Sequence, residues 1–173
     1  MLTCIIHISM LYLIHSKDKK EKKMKQTELN KILEEHGKWL KGEGGKRVRF
    51  LGTDLRYADL SDTDLRGLDL READLTEAEI MRANLRGADL RNVNLRGAIL
   101  SDTDLRNTDL RGADLRNTDL RGADLSDTDL SDTDLRGADL RDTDLRGANL
   151  SDTDLRHTDL RGADLREAKL KRA

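Results

Sequence analysis

The chain has no proline, a single cysteine (Cys4), and only one tryptophan, two tyrosines and one phenylalanine among 173 residues. One cysteine excludes an intrachain disulfide and any metal site built on several thiolates, and it fits a reducing cytoplasm. Aromatics at 2% and charged residues at 38% would ordinarily indicate disorder or a long solvated helix. Charge of one sign is missing too. The formal net charge is −2, so neither a strongly basic nucleic-acid binder nor an acidic tail is indicated. Catalytic groupings are equally scarce. His7, His15, His36 and His157 are scattered, at no spacing that suits zinc or a nucleophile and its base. Aspartate is plentiful, but calcium-binding repeats carry a nine-residue Gly-Asp pattern that is not seen here. An enzyme, a cofactor and a metal are therefore not expected.

What is present is repetition. Residues 106–125, RNTDLRGADLRNTDLRGADL, are one decapeptide written twice. Catalytic sites need unlike residues converging on a point, and a duplicated phrase does not supply them. The underlying period is five. From position 50 to position 170 every fifth residue is leucine, except Phe50 and Ile80, giving 25 units from Val48 to Arg172 without an insertion. Two places before each centre stands alanine twelve times and threonine ten times, with Val48, Leu68 and Val93 completing the set. The residue before the centre is usually Asp or Asn, the one after it Arg or Ser, and the fifth mostly Gly, Asp or Asn. A helix repeats at three and four, a coiled coil at seven and a simple strand at two. Five suits a short extended stretch with two inward residues, then a turn whose last position favours Gly, Asn or Asp. Such units stack into a solenoid bonded coil to coil.

These units resemble the A-(D/N)-L-x-x motif of the pentapeptide repeat proteins, of the bacterial or phage type with a short helical leader. The resemblance implies an all-β solenoid, a right-handed quadrilateral β-helix in which four pentapeptides make one square coil. About six coils follow, with Phe50, Leu55, Ile80 and Leu115 among the inward ladder. Inward threonines need hydroxyl partners; Thr108 under Thr128 and Thr133 under Thr153 can bond to one another or to coil carbonyls. Some members of this family mimic DNA and bind DNA gyrase or related topoisomerases. That activity needs a dominantly acidic rod. Residues 46–173 carry 28 acids against 23 bases, with Arg columns beside the Asp columns, a poor imitation of phosphate. Direct binding of nucleic acid is not expected. The reading adopted is a non-enzymatic scaffold or binding module for an unidentified protein, with a topoisomerase modulator as the alternative.

Three segments follow from this reading. Residues 48–173 are the β-helix. Residues 24–47 are a capping helix and Gly-rich link, with Thr27 as N-cap, Leu29, Ile32, Leu33, His36 and Leu40 on one face, Trp39 beside it, and Gly42, Gly44 and Gly45 as the stop. Residues 1–23 fit neither pattern. Their apolar run is short for a membrane span and lacks the features of a secretory signal. Lys20 to Met24 can be encoded as a ribosome-binding site before a start codon, so translation from Met24 is expected, with a membrane anchor as the rival. At the far end only Lys169, Lys171 and Arg172 protect the last coil.

One window departs from the phrase. In READLTEAEIMRANL, residues 71–85, Ile80 is a centre, Met81 stands where Arg or Ser is usual, and Glu72, Glu77 and Arg82 take turn positions. One coil later Ile99 replaces the outward Asp. On a four-sided coil Met81 and Ile99 share a face, between Ser61 and Ser101 and beside Tyr57 at the corner. That face then changes from nearly uncharged to a row of Arg121, Arg141 and Arg161. Tyr57, Met81 and Ile99 are the candidate contact residues.

Overall fold

A computed structural model describes residues 24–173. The readings of residues 1–23, as an over-extended start or an anchor, lie outside the described residues. The described chain is one helix, α1 (Gln26–Leu40), followed by a stack of parallel bridges. Each bridge joins residues 20 apart, from Arg49 with Asp69 to Asn149 with Lys169. Four five-residue units thus complete each coil, and four columns of side chains result. We number the sides by their centres: the first carries Phe50, the second Leu55, the third Leu60 and the fourth Leu65.

The pentapeptide explains the coil. Side chains alternate along an extended stretch, so the central Leu and the residue two before it point in, and their outer neighbours point out. Leu55, Ile80 and Leu115 are 1% exposed and Phe50 3%. A four-residue turn then closes each unit: the Leu55 carbonyl accepts from Ala58 N–H at 3.0 Å, with Tyr57 at φ 59°. This third turn residue is left-handed throughout, and not only at glycine. Glu77, Arg82 and His157 also adopt it, at 56°, 56° and 62°, despite a cost of about 1–2 kcal/mol for a residue with a Cβ. Bonds between coils hold the strain on each side. Leu55 N–H donates to Asp74 O (2.8 Å), Asp74 N–H to Thr53 O (3.0 Å), and Tyr57 N–H to Thr76 O (3.1 Å).

The inward threonines do not bond to one another. Thr108 and Thr128 hydroxyls both donate to Leu105 O, at 2.7 and 2.9 Å. Thr133 and Thr153 share Leu130 O at 2.6 and 2.8 Å. Each of these turn carbonyls thus accepts from two hydroxyls besides its own longer turn N–H bond of 3.3 Å, which satisfies the buried hydroxyls.

Helix α1 seals the first coil by replacing a missing one. Met24 N–H donates to Asp54 O (3.4 Å). The Gln26 carboxamide donates to Asp59 O (2.7 Å) and accepts from Asp59 N–H (3.0 Å), as a neighbouring strand would. His36 Nε2 meets Arg66 O at 3.2 Å while its Nδ1 accepts from Val48 N–H at 3.4 Å. Only the neutral ring protonated at Nε2 makes both bonds. Leu29 is buried in the core cluster, with Ile32 and Leu33 packed against it. Trp39 is 40% exposed, its ring stacked on His36 and under the Arg47 guanidinium. Leu40 is half-buried.

The helix start differs from the expectation. The N-cap is Lys25, with no side-chain cap bond, and Thr27 lies inside the first turn. The bonds of Met24 and Gln26 to the first coil fix where the chain enters, and they outweigh the weaker preference for a hydroxyl cap. The stop is as read. Gly42 N–H donates to Trp39 O and Glu43 N–H to Lys38 O, at 3.1 and 3.0 Å, with Gly42 at φ 73°, a Schellman closure. At Gly45 a Cβ would stand 2.2 Å from Glu35 O, so only glycine lets the link fold back along the helix.

At the far end, Lys169 O accepts from Leu150 N–H and Lys171 O from Asp152 N–H, both at 2.8 Å. Arg172 reaches Asp152 at 3.6 Å. Leu155, Leu160 and Leu165 are only partly buried in this last coil.

Candidate protein-contact face

The outer surface is built from one small unit. Because the residues before and after each central Leu point to the same outer side, an Asp and an Arg two apart stand next to each other. Arg121 Nε donates to Asp119 Oδ1 (2.8 Å) and Nη2 to Oδ2 (2.6 Å), while Arg121 N–H also donates to Oδ1 (3.2 Å). The same three bonds recur at Asp104 with Arg106 and at Asp134 with Arg136. A second contact runs up the column, as from Arg116 to Asp134 at 3.6 Å. Where Arg follows the centre, the Asp is thereby neutralised within its own unit as well as by neighbouring coils. Bidentate arginine bonds, opposed by partial burial, hold Asp104, Asp114 and Asp119 below the usual carboxylate value. In the last coil Asp154, Asp159 and Asp164 are lowered to about 2 by the same bonds.

The third side interrupts this lattice. Bridges place Asp59, Glu79 and Ile99 in one outer column, continued by Asp119 and Asp139. The column beside it runs Ser61, Met81, Ser101, then Arg121 and Arg141, as the corner N–H bonds to Met81, Ser101 and Arg121 carbonyls show. Met81 and Ile99 are half-buried. Tyr57, at the corner leading into this side, is 57% exposed. Two features differ from the sequence reading. The early part of the side is not uncharged, because Asp59 and Glu79 stand on it. The later Arg row is not a free positive strip either: Arg121, Arg141 and Arg161 are held by Asp119, Asp139 and Asp159, each at 2.6 Å.

Sequence reading passed over Asp59, Glu79 and the state of Ser61. Asp59 and Glu79 make no ion pair among the described residues. Ser61 N–H donates to Asp59 Oδ1 at 3.0 Å, yet its Oγ is buried and is the one such side-chain atom left without a partner among the described residues. The signal for all three was the missing Arg after the centre, at positions 61, 81 and 101. At the next corner Arg82 crosses to the coil before and clasps Asp62 with two bonds, 2.8 and 2.7 Å. A shallow groove lined by Ser101, Asp102, Arg121, Gly122, Arg141 and Asp142 continues along that corner. Among the described residues no cluster of His, Cys, Asp and Glu has the arrangement to hold a metal ion. No helix there is long and apolar enough to cross a membrane.

Several solved structures are similar to parts of the chain. Rfr23, a pentapeptide repeat protein from the cyanobacterium Cyanothece 51142, shares 38% identity over 56% of this chain, with a TM-score of 0.33. The match spans 63% of Rfr23, short of two thirds of its length. HetL, a pentapeptide repeat protein involved in heterocyst differentiation regulation in Nostoc sp. PCC 7120, is 31% identical over 69% of this chain and 75% of its own, with a TM-score of 0.27. QnrB1, a plasmid-mediated fluoroquinolone resistance protein, is 19% identical over 72% of this chain and 68% of its own, with a TM-score of 0.39. No curated protein matches the sequence. The profile of the pentapeptide repeats matches in eight copies, over residues 46–71, 58–97, 98–137 and 134–172. With its i to i+20 ladder and five-residue unit, the chain belongs to the pentapeptide repeat family, whose fold is the right-handed quadrilateral β-helix.

Proposed function

We propose that the chain is a non-enzymatic scaffold of the cytoplasm that binds another protein through the third side, around Tyr57, Met81 and Ile99. One observation carries this reading. On three successive coils of the third side no Arg follows the centre, and two half-buried apolar side chains, Met81 and Ile99, stand in the outer columns. Where Thr76, Ser126, Ser131 and Ser151 replace Arg on the other sides, their hydroxyls donate to the neighbouring Asp or Asn and the surface stays polar. The test compares proteins retained from host extract by the unaltered chain and by a Met81→Lys, Ile99→Lys variant. Ser131→Lys, on the opposite side, serves as control. A partner lost only with the third-side variant supports the reading; identical retention by all three chains removes it.

QnrB1 is described as a resistance protein against fluoroquinolones, which raises topoisomerase modulation for this chain. The bidentate pairing of so many outward carboxylates speaks against it, since a paired carboxylate offers little to a saddle built for phosphate. Gyrase supercoiling is expected to proceed unchanged with micromolar protein present. Inhibition there would overturn this preference.

A further inference from the structure

We propose that the third side between Asp59 and Asp102 receives an arginine side chain from the partner, its guanidinium on the carboxylates and its stem across Met81 and Ile99. The proposal rests on the reading of this side as a contact face, and it specifies the chemistry of what docks there.

The solenoid itself shows which group completes an outward carboxylate. In the ordinary unit a guanidinium lies alongside, two donors on two oxygens, as Arg141 lies on Asp139 at 2.8 and 2.6 Å. At Asp59 the carboxylate is oriented in the ordinary way, by the N–H of the residue two further on, at 3.0 Å, but that residue is Ser61. Elsewhere a serine in this place compensates. Ser126 and Ser131 hydroxyls donate to Asp124 and Asp129, both at 2.7 Å, and those carboxylates also lie 3.4 and 4.0 Å from Arg106 and Arg111 of the coil before. Asp59 has neither contact, and the Ser61 Oγ beside it is buried without a partner. Above Asp59 in the column stands Glu79, next to Met81 instead of Arg. Asp59 therefore keeps the orientation of a guanidinium site, with the Glu79 carboxylate on the adjacent coil beside it, while the lattice supplies no guanidinium to either.

The surroundings select the same group. Glu77 occupies the flanking corner and adds negative charge, whereas Asp102 at the other corner already lies near Arg82 and Arg121. Asp62 does not compete, because Arg82 already holds it through two bonds. Met81 and Ile99 offer apolar surface on which the methylenes of a long cationic side chain pack. A planar fork matches a carboxylate with two bonds where an ammonium makes a point contact, so arginine is favoured over lysine.

The test uses the full chain carrying ¹³C-methyl methionine, since Met81 lies at the centre of the side. The probes are acetyl-Leu-Arg-Ala-Arg-amide and its counterparts with lysine or with citrulline, a neutral isostere of arginine. The arginine peptide is expected to shift the Met81 methyl signal. Affinity should fall roughly tenfold for citrulline and for an Asp59→Asn, Glu79→Gln variant, the scale of losing charge-assisted bonds. Asparagine keeps an oxygen for Ser61 N–H, and an unchanged melting temperature confirms that the variant is folded. Equal binding of the arginine and citrulline peptides, equal binding by the variant, or no shift at millimolar peptide overturns the proposal. Lysine binding as tightly as arginine overturns the choice of guanidinium. If the peptides fail while the Met81→Lys, Ile99→Lys variant still loses a partner, the contact face stands and its arginine specificity falls. If neither experiment shows an effect, both readings fall.

Discussion

At the scale of single residues, two kinds of side chain hold very different shares of stability. Leu115 is enclosed on all sides, and its truncation leaves a cavity between coils. Leu115→Ala is expected to lower the unfolding free energy by about 2–5 kcal/mol in a denaturant titration. Arg121→Ala, which removes a half-exposed partner, should cost less than about 1 kcal/mol. Asp119→Ala should cost more than Arg121→Ala, because it also strips an acceptor from a turn N–H. Carboxylate titration follows the same bonds. Asp154, Asp159 and Asp164 hold pKa values near 2 in the folded state, below the unfolded value near 3.9. Their contribution is complete above pH 4 and is lost as pH falls toward 2. In a chain lacking His36 the melting temperature should hold from pH 7 to pH 5 and decline below 4; a decline beginning at pH 6 in that chain would contradict this. Much of this scale was legible in the sequence. Leucine at every fifth place specified the inward ladder, and the Asp-Leu-Arg order contained the ion pair. The sequence reading placed compensation between columns only, whereas alternation about the central Leu puts both charges on one outer patch of a single unit.

At the scale of the element, α1 acts as a lid whose bonds imitate a strand edge. His36 is its most condition-dependent part. Burial, the largest influence, outweighs the Arg66 carbonyl and Asp64 and lowers its pKa below 6.5. Above pH 6.5 the ring is neutral whether docked or not, and the cap keeps its full stability. As pH falls below 6.5 the undocked ring takes a proton that the docked ring refuses, so docking weakens. Trp39 is the sole tryptophan and its ring lies 5.5 Å from His36, which makes its fluorescence a local probe. Its denaturant midpoint should be lower at pH 5.5 than at pH 7.5, and the gap should vanish in His36→Leu. Equal midpoints in the unaltered chain would mean that His36 is not held neutral. The helix and its glycine stop were readable from apolar spacing and Gly42. Its start was not, because Gln26 and Met24 bond to residues some 30 places away, and no local pattern announces that. His36 as a buried bridge was hidden for the same reason, since its two partners come from separate segments.

At the scale of the whole molecule, stability is a sum over units and their nearest neighbours. Inserting a further copy of residues 116–125 is expected to leave unfolding cooperative and to raise the calorimetric enthalpy in proportion to length. Deleting the single residue Leu115 should instead abolish the cooperative transition, because every later unit loses its inward place. The break on the third side was visible in the sequence through Met81 and Ile99. The carboxylates that give it a chemistry were not, since Asp59 looks like any other Asp until the lattice around it is seen.

The doubled decapeptide in the middle of the chain has a consequence for how such a surface changes. The fold counts in fives, but the columns count in twenties. Ten extra residues keep every turn and every Asp–Arg pair, yet they turn all later coils half a revolution relative to the earlier ones. A lineage can thereby aim the two halves of the rod at different neighbours, like segments of a combination lock, while the interior never registers the change.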